Sequence, residues 1–212
     1  MICLFMALVN VKFFEERMIK RLLAFLPIIL LMGCYLPNNF ELNMQLSKSG
    51  KYAMEYDGTL THLGFLQRIG RGELNEAEVK ENVAKFETDL RRDSAFSKVD
   101  YEDQARYAVK YSYQGNIHKR KLHSFVQRNG WFMSIRKSKP GVVEIKGNKL
   151  PKQYIDELIA SGFDSYGTVR VWTDAKVGFH NAQNVVEGDL TLYEWFIESM
   201  RDPSPSMVIA IE

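Results

Sequence analysis

The chain has 212 residues, 46% of them hydrophobic and 25% charged, with a formal net charge of +2 at pH 7. It contains no internal repeats and no low-complexity tract, which excludes a repeat array and predicts a globular body. Its two cysteines are Cys3 and Cys34. Residues 35–212 therefore cannot form an internal disulfide, and packing of apolar and aromatic side chains must stabilise them.

The first element in chain order is a short apolar segment behind two cations. Leu22–Gly33 is apolar over twelve residues, and Lys20 and Arg21 precede it. This arrangement is typical of a secretory signal. Twelve residues are too few to span a membrane as a helix, which takes about 20. We therefore predict a signal peptide at residues 18–33.

The first seventeen residues do not fit such a signal. Glu15 and Glu16 place acid in front of the cationic region, where signals are basic. We predict that Met18 is the biological start and that residues 1–17 are an upstream over-read. An alternative joins Ile2–Phe14 with the later apolar segment into one membrane anchor, although the charges between them interrupt it.

The tetrapeptide that ends the apolar segment is Leu31-Met32-Gly33-Cys34. It resembles the lipobox of bacterial lipoproteins. The resemblance implies that Cys34 becomes the first mature residue and carries a diacylglyceryl thioether and an N-acyl chain such as palmitate. Several acyl chains hold a protein firmly in a bilayer, since each buried CH₂ contributes about 0.8 kcal/mol. The alternative is a free, buried cysteine that happens to end an ordinary signal.

This resemblance also implies a location. The protein is expected to be exported and anchored in the bacterial cell envelope, and Tyr35 rather than Asp after the cysteine favours the outer membrane, facing the periplasm, in a cell with two membranes. An exported protein rarely meets nucleic acid, so nucleic acid is not an expected partner. We expect residues 34–39 to form a lipidated tether and residues 40–212 to form a single α+β domain.

The domain is predicted to open with a β-hairpin followed by helices. Apolar residues alternate through 40–46 and again through 52–56, with a turn between them. Residues 60–69 form a short apolar stretch that favours a helix. Asn75 and Glu78 are spaced as a capping box and predict a helix over about 76–92, whose apolar face belongs to the core.

The remaining chain is predicted to be mainly strands. Asn129-Gly130 is a strong hairpin signal between two apolar runs, and Pro151 suits the first turn of a helix over 151–161. Further strands are predicted at 105–113, 122–127, 131–135, 142–146, 168–173, 176–180, 190–197 and 207–211. About nine strands arriving as adjacent hairpins predict a mainly antiparallel α+β sheet with two or three helices packed on it.

Cations concentrate in the middle of the chain. Residues 119–152 contain ten Lys or Arg and one acid, Glu144, between acidic flanking segments. Such a band could bind anionic lipid head groups, or it could be the solvated side of strands whose other side is buried. The candidate head-group residues are Lys119, Arg120, Lys121, Arg136, Lys137 and Lys139.

The C-terminal third carries a second resemblance. Thr168–Trp172 is followed by Val177–Ala182, Gly188 and a strand containing Trp195, and Asp57-Gly58 ends the opening hairpin. This layout resembles the LppM-type domain of envelope lipoproteins. The resemblance implies an α+β, partly barrel-like domain that holds a lipid or glycolipid and has no catalytic centre. Members of that family can carry a C-terminal membrane helix, whereas this sequence predicts a strand there, so anchoring is expected at the N-terminus.

No motif in the sequence indicates catalysis. The four histidines form neither an HxxxH nor an HExxH pair, no Gly-x-Ser-x-Gly elbow occurs, and no glycine loop of phosphate-binding type is present. We therefore expect no metal, no cofactor and no enzymatic activity. The leading hypothesis is an envelope lipoprotein that binds a lipid or other amphiphile. The alternatives are an interaction module for envelope proteins and, third, an envelope hydrolase with a carboxylate pair.

Overall fold

The structure is a computed structural model that describes residues 35–126 and 132–212. The predictions for the over-read, the signal peptide, the lipidated Cys34 and the Asn129-Gly130 turn lie outside the described residues.

The described residues form twelve strands and three helices. The strands are β1 (Tyr35–Leu46), β2 (Lys51–His62), β3 (Phe96–Tyr101), β4 (Arg106–Asn116), β5 (Leu122–Phe125), β6 (Met133–Lys139), β7 (Val142–Gly147), β8 (Gly167–Thr173), β9 (Lys176–His180), β10 (Asn184–Val186), β11 (Thr191–Ile197) and β12 (Ser206–Ala210). The helices are α1 (Leu63–Gly70), α2 (Glu76–Arg91) and α3 (Lys152–Ala160).

The strands form two sheets. Sheet 1 has the order β10-β11-β8-β1-β2-β4-β3, and sheet 2 has the order β5-β6-β7-β12-β9. Neighbouring strands are antiparallel except β1 and β8, which are parallel. The α+β class and the mainly antiparallel pairing are thus confirmed. The sheets are not closed into a barrel over the described residues, which corrects the partly barrel-like arrangement that the family resemblance implied.

The inner faces of the two sheets share one apolar core. Phe40 of β1 contacts Phe132 edge-on, with 5.1 Å between the ring centroids. The ring centroids of Tyr56 in β2 and Phe125 in β5 are 4.5 Å apart. Phe40 and Tyr56 belong to the two alternating stretches of the predicted hairpin. They fill the space between the sheets, so most of the aromatic surface is used for packing.

Strand β1 begins at Tyr35, earlier than expected. Tyr35 is opposite His62 in the hairpin with β2, and Tyr35, Leu36 and Pro37 are all buried. The prediction of a tether at 34–39 is therefore wrong for residues 35–39. Apolar burial of Leu36 and pairing with β2 hold this segment in the sheet.

The second strand of the hairpin also continues beyond the alternating stretch at residues 52–56. Strand β2 extends to His62, and helix α1 begins at Leu63 rather than at residue 60. The imidazole of His62 caps this helix, because its Nδ1 accepts a hydrogen bond from the amide of Phe65 at 3.0 Å.

Helix α2 follows the predicted capping box and covers the edge of sheet 1. The Asn75 side chain accepts from the amide of Glu78 at 3.0 Å, and the Glu78 carboxylate accepts from the amide of Asn75 at 2.9 Å. Further along, Arg91 donates to the carbonyl of Val99 and Glu87 accepts from the amide of Tyr101. Helix α2 thereby satisfies backbone groups on the outer edge of β3, which would otherwise be open to pairing.

Candidate functional site

An apolar cleft lies between the two sheets at the end where β1 begins. Its volume is about 70 Å³. Ligand pockets usually measure about 300–1,000 Å³, so the cleft in this conformation holds only a small part of a lipid. Its apolar lining comes from both sheets, from α3 and from the loop before β12, and consists of Leu36, Pro37, Phe40, Phe132, Met133, Leu150, Ile155, Val169, Ile197, Met200, Pro203 and Pro205.

Polar contacts hold the loops that cover this cleft. The ammonium of Lys149 donates to the carbonyls of Arg201 and Asp202 at 2.8 and 2.9 Å, which ties the segment after β7 to the loop before β12. Arg201 also pairs with Asp156 of α3 at 3.0 Å. Both contacts are exposed to solvent, so we expect each to contribute little to stability.

Deeper in the same end, polar groups position β1 against the chain before β8. The hydroxyl of Ser165 donates to the carbonyl of Pro37 at 2.6 Å, and both residues line the cleft. The carboxylate of Asp164 accepts from the hydroxyl of Ser199 and from the amide of Met200. The cleft is thus fixed by bonds between segments more than 30 residues apart in sequence.

A group of cations lies at the opposite end of the molecule. We call Lys119, Arg120, Lys121, Lys137 and Lys139 the basic corner. The carbonyl of Lys121 accepts from the amide of Lys137 at 2.8 Å, and the Lys137 ammonium donates to His118 at 3.2 Å. The guanidinium of Arg120 lies 6.0 Å from the ring centroid of Tyr113. The structure therefore brings together two segments that are apart in sequence.

Arg136, the sixth candidate, has a different environment. Its side chain lies on the outer face of β6 and pairs with Glu144 of β7 at 2.7 Å. A hydrogen bond from the Arg136 guanidinium is the main cause of the lowered pKa of the Glu144 carboxyl. Within the described residues, the five corner cations have no carboxylate within 4 Å, so their charges remain available to an external anion.

The cleft and the basic corner are separate sites. Met133 lines the cleft and Lys139 belongs to the corner, and β6 connects them. Six residues of extended strand span roughly 20 Å. The candidate head-group cations of the basic corner and the apolar cleft therefore lie near opposite ends of β6.

Two histidines are buried in the described residues. His123 is fully buried, with Nε2 3.1 Å from the Tyr111 hydroxyl, and its Nδ1 has no hydrogen-bond partner within 35–126 and 132–212. Burial, assisted by the nearby Arg120, lowers the pKa of His123 to about 4. Burial likewise lowers the pKa of His62 to about 4. Sequence spacing did not distinguish these two from the exposed His118, although alternation with buried Phe125 places His123 on the inner face.

No group of three or more His, Cys, Asp or Glu side chains among residues 35–126 and 132–212 is arranged to hold a metal ion. Over the same ranges, no helix has the length and apolar character needed to cross a bilayer.

Comparison with known proteins finds similarity in structure and not in sequence. No protein-family model matches the chain, and no curated protein matches it in sequence. Its fold is similar to the NMR structure of the folded domain of LppM from Mycobacterium tuberculosis, with a TM-score of 0.44 and 9% sequence identity, over 84% of this chain and 93% of that chain.

Proposed function

We propose that this protein is a lipid-anchored, non-catalytic lipoprotein of the bacterial envelope whose α+β domain binds the apolar chain of an amphiphile in the cleft. The observation that carries the proposal is the position of the cleft relative to Cys34 in the chain. The cleft is lined by Leu36 and Pro37, which follow the lipobox-like Cys34 by two and three residues. A bilayer that holds Cys34 would therefore lie beside an apolar opening.

The volume of the cleft sets a condition on this function. A cavity of about 70 Å³ cannot take a whole acyl chain, so the covering loops must move apart when the ligand enters. The contacts of Lys149 with the carbonyls of Arg201 and Asp202 are the exposed bonds that such an opening breaks. Their low cost is compatible with opening at a membrane surface.

Photocrosslinking in the producing cell tests the proposal. Cells that make the full chain are fed a photoreactive, alkyne-tagged fatty acid and irradiated, and peptides of the purified protein are searched for lipid adducts. We expect adducts on peptides that line the cleft, around residues 149–155 and 197–205. Adducts confined to other surfaces, or none within residues 35–212, would refute binding in the cleft.

Two neighbouring substitutions make a matched pair for this experiment. Ile197 lines the cleft, whereas Phe196 is on the opposite face of β11 and is 44% exposed. Ile197→Trp should fill the cleft and remove the adducts, while Phe196→Trp should retain them. Retention of adducts in Ile197→Trp would contradict the proposed location. Thermal unfolding of both variants verifies that each is folded.

A second candidate function is an interaction module of an envelope assembly. The observation in its favour is a group of exposed apolar side chains along β10 and β11: Val185, Val186, Leu190 and Phe196, all at least 37% exposed. A crosslinking amino acid at Val186 should then join the chain to a discrete protein, while one at the distant, exposed Thr88 should not. Equal crosslinking from both positions would contradict a specific contact on this edge.

A further inference from the structure

The outer face of sheet 2 carries an excess of positive charge. Its side chains are identified by alternation with buried neighbours and by their partners across strands. One row runs Leu122, Arg136, Glu144, Val208 and Phe179, and a second row runs Lys139, Val142, Ala210 and Lys176. Lys146, on the same face of β7, adds another cation.

Charge on this face is only partly compensated. Glu144 is the single acid among the strand residues of the face, and it pairs with Arg136. Lys139, Lys146 and Lys176 are exposed and have no carboxylate within 4 Å among the described residues. The basic corner adjoins the same end of the sheet, because Lys137 and Lys139 are both in β6.

Apolar side chains stand at both sides of the cations. Leu122 on β5 is 49% exposed, and Phe179 on β9 is 54% exposed. Lysines between exposed apolar residues suit the boundary of a bilayer, where the ammonium groups meet anionic head groups and the apolar residues enter the region beneath them.

The outer face of sheet 1 has the opposite character. Arg170 is shared between Glu41 and Glu194, and Lys110 pairs with Asp57. Glu55 lies in the same rows, so acids exceed cations at the centre of this face. The two broad faces therefore differ in charge, and an anionic surface would attract one of them and repel the other.

We propose that the outer face of sheet 2, together with the basic corner, lies on an anionic lipid bilayer. The start of β1 is in sheet 1, and packed sheets are about 10 Å apart. This orientation keeps Tyr35, the first residue of β1, and the apolar cleft near the bilayer. The inference rests on the membrane location in the proposed function, but it does not require the cleft to bind a lipid.

A depth-sensitive quenching experiment on the full chain tests this orientation. Ala210 is exposed on the outer face of sheet 2, and Ser112 is exposed on the outer face of sheet 1. Ala210→Cys or Ser112→Cys, each combined with Cys3→Ser, is labelled with a fluorophore. The protein is reconstituted into vesicles that contain a head-group nitroxide lipid, with or without phosphatidylglycerol.

We expect strong quenching at position 210 in phosphatidylglycerol vesicles, its loss in phosphatidylcholine vesicles, and little quenching at position 112 in either. High salt should also weaken quenching at position 210, since 1 M salt shortens the screening length to about 3 Å. Equal quenching at the two positions, or stronger quenching at position 112, would overturn the proposal. An absence of quenching at position 210 in every vesicle would also overturn the proposal. It would indicate an acidic protein as the partner of this face.

Charge reversal provides the matched control. Lys139→Glu, Lys146→Glu and Lys176→Glu together should abolish the quenching contrast between positions 210 and 112. Lys80→Glu, Lys85→Glu and Lys98→Glu together make the same change of charge at exposed sites on α2 and β3 and should preserve it. Equal effects of the two sets would contradict recognition by this face. Crosslinking of fatty acid to the cleft tests the proposed function separately, so failure of one result is distinguishable from failure of the other.

Discussion

At the scale of single residues, the approach of β1 to β8 beside the cleft depends on a glycine. A Cβ atom on Gly167 would overlap the backbone carbonyl oxygen of Phe40 and would lie 2.6 Å from the nearest atom of the Phe40 ring. Backbone atoms cannot move aside without shifting the strand. The parallel pairing of β1 with β8 therefore requires that residue 167 have no side chain.

Gly167→Ala should consequently destabilise the fold by about 1–3 kcal/mol, the usual cost of overpacking a close contact. Gly70→Ala, at the end of α1, is the matched control, because no atom lies within 4 Å of its added methyl group. We expect that control to change stability by less than about 1 kcal/mol. Urea unfolding of both variants measures the difference, and equal midpoints would contradict the argument.

The buried histidines predict a stability that depends on pH. In the unfolded chain each takes a proton below about pH 6.5, whereas burial keeps each neutral in the fold down to about pH 4. The unfolded state therefore binds more protons between these values, and the fold loses stability as the pH falls from 6.5 to 4. Once the pH is below both pKa values, this difference between the folded and unfolded states lowers the free energy of unfolding by about 3 kcal/mol for each histidine.

Unfolding free energies measured at pH 7.5, 6, 5 and 4 test this dependence. His123→Phe should remove about half of the loss that the two histidines cause, although it also deprives the Tyr111 hydroxyl of its partner and lowers stability at every pH. The slope with pH, rather than the absolute value, is the measurement that decides. An unchanged slope in His123→Phe would show that His123 takes up its proton equally in both states.

At the scale of elements, helix α2 stabilises the edge of sheet 1. Its start depends on two reciprocal hydrogen bonds of Asn75 and Glu78, and its later side chains contact the backbone of β3. Fraying of the first turn would weaken the whole helix, since helix formation is cooperative. The cap therefore affects the protection of a strand about 25 residues away.

Asn75→Ala should cost about 1 kcal/mol, whereas Asn75→Ser retains a capping oxygen and should cost little. Amide hydrogen exchange gives a local reading. The amide of Tyr101, which donates to Glu87 on α2, should exchange faster in Asn75→Ala than in Asn75→Ser. Equal exchange rates would show that β3 is protected independently of the helix cap.

The elements also show what local patterns predict. The helix expected over 76–92 is observed at Glu76–Arg91, because its cap and apolar face are encoded within one short segment. The sequence pattern does not predict strands β3 and β10. Strand β3 has only two fully buried positions and is defined by pairing with β4, and β10 has three exposed residues and is defined by pairing with β11. Their existence depends on partners rather than on their own periodicity.

The candidate sites show the same limit. A run of cations in the sequence indicated positive charge, but the pairing of Arg136 with Glu144 depends on the register of β6 and β7. Lys176 lies outside that run and joins the face only through the pairing of β9 with β12. The cleft combines segments from β1, β6, α3 and the loop before β12. These combinations follow from tertiary pairing, which alternation along one strand does not encode.

At the scale of the whole molecule, strand β1 follows the proposed attachment site directly in the chain. Tyr35 is the first residue of β1 and is 9% exposed, with its ring against His62 at 5.0 Å. A lipid on Cys34 would therefore hold the domain with almost no flexible spacer. Such an anchor restricts which surfaces can reach the bilayer. The proposed roles of the cleft and of the outer face of sheet 2 both require that the domain be held close to the bilayer in this way.

Metabolic labelling with radioactive palmitate tests the anchor itself. The full chain should incorporate label when produced in a bacterium, Cys34→Ser should incorporate none, and Cys3→Ser, the matched control at the other cysteine, should remain labelled. Retention of label in Cys34→Ser would place the acyl groups elsewhere, and loss of label in Cys3→Ser would show that residue 3 is required. Equal labelling of all three forms, or of none, would remove the basis for a membrane location. The apolar cleft and the basic face would then need a partner that is free in solution.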